Sequence, residues 1–96
     1  MTTQEIKEEL LKHISDGMNI KFSTFPKYNG DTEIDMSYTS KNPTDFMKKK
    51  AVMDALTKML VDNGYIIKMS SIDISDTYYQ SVMLEKKGDK KNEINL

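Results

Sequence analysis

The 96-residue chain has no arginine, no cysteine and no tryptophan, and it has one histidine, His13. Each absence removes a chemistry. All fourteen basic residues are lysine. Lysine lacks the planar guanidinium fork that grips phosphate, carboxylate or guanine with two parallel hydrogen bonds. Without cysteine there is no disulfide, no thiolate nucleophile and no cysteine-based metal site, so the redox state of the compartment is left unconstrained. A single histidine cannot form an HxxxH or HExxH pair, and no metal or other cofactor is expected. The four glycines, at positions 17, 30, 64 and 88, are isolated at the ends of segments. They serve stops and turns and make no phosphate-cradling loop. No stretch approaches the ~20 apolar residues of a membrane span. The start, Met1-Thr2-Thr3-Gln4-Glu5, runs into an amphipathic segment and not into a signal-peptide pattern, so a cytoplasmic location without membrane contact is expected.

What is present fits one small globular domain. Hydrophobic content is 38% and charged content 30%, too apolar for general disorder. Net charge is −1, neither the cationic excess of a nucleic-acid-binding domain nor the anionic excess of a nucleic-acid mimic. Residues 1–87 read as a single domain, and residues 88–96 as a flexible polar tail without a packing pattern.

Periodicity supplies the elements. Ile6, Leu10 and Ile14 stack at helical spacing between Thr3 and Asp16, with Leu11 widening the stripe and Gly17 as the stop. The period then drops to two through Met18, Ile20 and Phe22. A turn-rich stretch from Phe25 to Asp31 follows, in which Asn29-Gly30 is the hairpin signal. Alternation resumes with Ile34, Met36 and Tyr38. Asn42-Pro43-Thr44-Asp45 then opens a second helix, with a cap residue, proline at the first helical position and an acid three residues after the cap. That helix runs to about Asp62, ends at Asn63-Gly64, and lines one side with Phe46, Met53, Leu56 and Leu60. A second hairpin spans Tyr65–Ile74 and Tyr78–Lys86, with a bulge or an early bend expected at Ser70-Ser71 and Met69 placed in the core or at its edge. The order predicts an α+β protein: an αββαββ two-layer sandwich, with a four-stranded antiparallel sheet and two helices on one face.

Candidate sites are few. His13 lies at the edge of its apolar stripe with no serine or cysteine in a nucleophile context, so it reads as a boundary residue. Asp31, Glu33 and Asp35 alternate along a strand, which places their carboxylates on one wet face at ~6.8 Å intervals. That spacing alone gathers no ligand cage for a cation, and Lys21 is the expected cross-hairpin partner. Lys48, Lys49 and Lys50 fall on three azimuths of the second helix, so they make no single phosphate-binding stripe, and Lys49 points to the apolar edge. Eight methionines, with Phe25, Tyr28 and Tyr79, suit an adaptable apolar contact surface.

With no matched acid and base, the chain is expected to be no enzyme but a binding protein. Its contact residues are Asp31, Glu33, Asp35, Tyr28 and Tyr79. Small size, lysine in place of arginine, and the abundance of Ile, Asn and Tyr match AT-rich coding. They suit an inhibitor encoded by a phage or mobile element, acting on a host or defence-system protein in the manner of an anti-CRISPR. One alternative is a nucleic-acid-binding accessory protein that uses Lys48, Lys49, Lys50 and the tyrosines. Another is a homodimeric structural subunit.

Overall fold

The computed structural model describes residues 3–13 and 19–88. Helix α1 (Thr3–His13) leads through Ile20 into β1 (Lys21–Pro26) and β2 (Thr32–Ser40). Helix α2 (Pro43–Asp62) leads into β3 (Ile66–Ile74) and β4 (Tyr78–Lys86). The four strands form one antiparallel sheet in the order β1-β2-β4-β3. The second strands of the two hairpins therefore meet in the middle, and β1 and β3 are the edges.

The alternating pattern decides which side is dry. Ile34, Met36 and Tyr38 of β2 stand opposite Leu84, Val82 and Gln80 of β4, and all six are buried. Ile6 and Leu10 of α1, with Phe46, Met53, Leu56 and Leu60 of α2, close over this side to form the core. The α+β two-layer architecture expected from the sequence is the one observed.

Local chemistry fixes the ends of α2. Asn42 Oδ1 accepts from the Asp45 amide at 2.7 Å, Pro43 occupies the first turn, and Gly64 continues the chain at φ +95°. Three expectations need correction. Leu11 and Met69 are exposed, because α1 buries only Ile6 and Leu10 in the core and no described helix covers β3. The irregularity in β3 falls between Ile67 and Met69, at Lys68, and not at the two serines. The β1–β2 turn is not a two-residue Asn-Gly hairpin. Strand β1 runs on through Pro26, which an edge strand tolerates, and Gly30 N–H bonds the Lys27 carbonyl at 2.9 Å with Gly30 at φ +91°. Ile14, Gly17, Met18 and residues 89–96 lie outside the described residues, as does the His13 side chain.

A polar relay, buried at Tyr38 and Gln80 and reaching solvent at Asp54, ties the layers together. The Tyr38 hydroxyl donates to Gln80 Oε1 at 2.6 Å, and Gln80 Nε2 donates to Asp54 Oδ1 of α2 at 3.3 Å. Lys50 then holds the other Asp54 oxygen at 2.7 Å. Burial, then the charges of Asp54 and Asp45, push the Tyr38 phenol up to about 12.

Candidate interaction surface

Both helices pack on one side, so among the described residues no helix lies over the other side of the sheet, and the strand register writes out what that side presents. Across the strands β1, β2, β4 and β3 the first row reads Phe25, Glu33, Glu85, Ile66. The second reads Ser23, Asp35, Met83, Met69, and the third Lys21, Ser37, Ser81, Ser71. A fourth row holds Thr39, Tyr79 and Asp73. Small serines in the third row keep the surface low there. A depression of about 270 Å³ lies between Asp35, Ser37, Met69, Tyr79, Ser81 and Met83.

The acidic corner is built by pairing. Glu33 and Glu85 stand directly opposite each other on β2 and β4, a repulsive arrangement if left alone. Lys27, carried by the β1–β2 turn, relieves it from between them: its Nζ lies 2.7 Å from Glu85 and 3.6 Å from Glu33. The hydrogen bond from Lys27 holds the Glu85 carboxyl below its ordinary range, and that same bond holds the Lys27 ammonium above its own. The expected partner, Lys21, instead faces Ser37.

Asp35 has no such relief. Its register partners are Ser23 and Met83, and its Oδ1 is buried without a hydrogen-bond partner. Desolvation raises its pKa, and the hydrogen bond and charge of neighbouring Glu33 raise it further. Among the described residues no cation offsets these causes, so a partly desolvated carboxyl stands at the centre of the helix-free face.

Asp31 departs from the expected row. It is only 7% exposed, because its carboxylate closes the end of the sheet. Oδ1 accepts from Gly88 N–H at 2.8 Å and Oδ2 from Asn29 Nδ2 at 3.3 Å, with Lys87 Nζ 3.6 Å from Oδ2. The Gly88 hydrogen bond leads the causes that lower its pKa. Gly88, expected to begin the tail, instead packs so closely that a Cβ there would come within 2.5 Å of the Gly30 carbonyl carbon. Asp31 is a structural clasp, whereas Glu33 and Asp35, of the residues expected to make contacts, stand on the helix-free side of the sheet with Tyr79 half-buried beside them. Tyr28 projects fully exposed from the turn.

The three consecutive lysines do not act together. Lys49 is 8% exposed and spends its ammonium on the Thr39 carbonyl at 3.0 Å and on Asp45 at 3.1 Å. Lys50 is paired with Asp54, and Lys48 points into solvent.

Sequence reasoning missed one feature. All nine residues of β3 are exposed, and Ile66, Ile67, Met69, Ile72 and Ile74 are between 46% and 64% accessible. The signal was present in the strand's own composition, which carries four isoleucines and a methionine. Among the described residues no group of three His, Cys, Asp or Glu side chains is placed to hold a metal ion, and no helix is long and apolar enough to cross a membrane. No protein-family model, curated protein or solved structure matches the chain.

Proposed function

We propose that this chain is a non-catalytic binding protein that docks its uncovered sheet face on a protein partner and acts stoichiometrically, as an inhibitor. The observation that carries the reading is the state of Asp35: a partly desolvated carboxyl beside Glu33, without a cation among the described residues, on a face ringed by Met69, Met83 and Tyr79. Leaving such a group uncompensated costs stability, and a lysine or arginine brought by a partner would relieve it. Methionine and tyrosine around it supply adaptable apolar contact, the usual make-up of an interface centre.

The chemistry therefore selects a partner with a basic protrusion. Proteins that handle nucleic acid carry such surfaces to meet phosphate. This agrees with the reading of a phage or mobile-element product directed at a host or defence-system protein, in the manner of an anti-CRISPR. The nucleic-acid alternative is the weaker one, because Lys49 and Lys50 are already engaged within the fold.

The experiment is a tagged pull-down from a lysate of the source cell, split into nuclease-treated and untreated halves. It is run in parallel with a Glu33→Lys, Asp35→Lys double variant. One protein recovered from both halves by the natural chain and lost with the variant supports the proposal. Recovery that vanishes with nuclease, or that ignores the charge reversal, overturns it.

A further inference from the structure

We propose that the chain self-associates through β3, two copies joining their edges antiparallel about a twofold axis to make one continuous eight-stranded sheet. Edge strands ordinarily carry protection: proline, inward charge, shortness, or a covering helix. Strand β1 has several of these, being six residues long, closed by Pro26, and overlaid by α1 near Thr24, Pro26 and Ile34. Strand β3 has nine residues and no proline, all nine are exposed, and among the described residues no helix covers it. No strand pairs with its outer edge among the described residues, which makes that edge a template for strand addition.

The occupant follows from the strand's own pattern. On the helix side β3 presents Ile67, Ser70, Ile72 and Ile74, the residues opposite Leu84, Val82, Gln80 and Tyr78. On the open side it presents Met69, Ser71 and Asp73. A twofold axis through Ser71 keeps these sides matched and pairs the strand along its length. Ser70 then meets Ile72 of the second copy, a small residue against a branched one. Ile74 meets the second copy's Ile67–Lys68 bulge, apolar against apolar, and Met69 meets its Asp73.

Charge selects the same direction. The strand holds two charges, Lys68 near one end and Asp73 near the other. Lys68 sits at the register irregularity between Ile67 and Met69, and Asp73 stands on the open side opposite Tyr79. Antiparallel self-pairing sets each Lys68 opposite Ile74 of the second copy, one position from an Asp73 of opposite sign, twice over by symmetry, whereas parallel pairing sets like beside like. The contact is isologous and closes on itself. The result is a dimer with two uncovered acidic faces.

Sedimentation velocity on the full chain across the micromolar range tests this. A monomer–dimer equilibrium is expected. Asp73→Lys or Lys68→Asp alone should weaken it about fivefold, from a like-charge pair replacing an opposite-charge pair at two sites. The charge-swapped double variant should recover the natural constant. Both side chains are exposed, so circular dichroism should be unchanged throughout. Ile72→Lys should give a monomer with the same spectrum. A chain that stays monomeric at every concentration, a polymer without closure, or a dimer that ignores all four variants overturns the proposal. The docking proposal rests on Glu33 and Asp35, and it would survive each of those outcomes.

Discussion

Replacing Tyr38 by phenylalanine keeps the ring in the core and deletes one hydroxyl, so it isolates the polar relay between the layers. That hydroxyl is the donor that satisfies Gln80 Oε1 at 2.6 Å, and both residues are buried. Losing the bond costs about 1 kcal/mol, and leaving a buried acceptor unpaired brings the total to about 2 kcal/mol. For a domain of this size, that corresponds to a fall in melting temperature of roughly 8–16 °C. Converting Gln80 to leucine as well removes the orphaned acceptor, while the exposed Asp54 can turn to solvent. The double variant should therefore be more stable than the sum of the single effects by about 1 kcal/mol. Thermal and urea unfolding of the four proteins measures the coupling. Strict additivity would refute the relay as a unit, and so would a Tyr38→Phe protein as stable as the natural one. Ultraviolet titration offers an independent check. The phenol that ionises near pH 12 in the folded protein should be missing from Tyr38→Phe.

Four further outcomes are expected. Asn42→Ala removes the cap that receives the Asp45 amide and should cost about 1 kcal/mol by urea unfolding. Met53→Ala, at a fully buried position of α2, should cost roughly 2–5 kcal/mol and leave the far-ultraviolet spectrum unchanged. Gly88→Ala forces backbone apart at Gly30, so the amide resonances of both residues and of Asp31 should shift in heteronuclear spectra while those of α2 stay in place. Stability should fall at both ends of the pH scale. Asp31, Asp45 and Glu85 have lowered folded pKa values, so their contribution is present above their unfolded values and is lost as pH drops through the folded ones. Asp35, with a raised value, works the other way and softens the acid loss. Tyr38, Tyr65 and Lys27 hold their protons more tightly when folded, so stability present below about pH 10 falls as pH rises beyond it. Melting curves from acid to alkali check the shape.

The elements with strong local chemistry were legible in the sequence. The cap, proline and terminal glycine of α2 act within a few residues, and so does the alternation of Ile34, Met36 and Tyr38, so the chain states them directly. Strand order was not legible, because alternation says which side chains share a face and nothing about which strand lies beside which. Asp31 shows the same limit at a candidate site. Its spacing matched Glu33 and Asp35, but its fate was set by Gly88, 57 positions away. Met69 was misplaced for the converse reason: an apolar residue on a strand is core only if something covers that strand. The unrelieved state of Asp35 required the register, which puts Ser23 and Met83, and no lysine, beside it.

The central claim is that the uncovered sheet face binds a basic protein surface through Glu33 and Asp35. Its most direct measurement is an isothermal titration of the captured partner, purified, with the natural chain and with the Glu33→Lys, Asp35→Lys variant. An affinity at least about tenfold lower for the variant is predicted, since truncating or reversing buried charge pairs costs more than 1.4 kcal/mol. Binding should also weaken as acid protonates Asp35. Equal affinity for the two proteins at every pH would contradict the account.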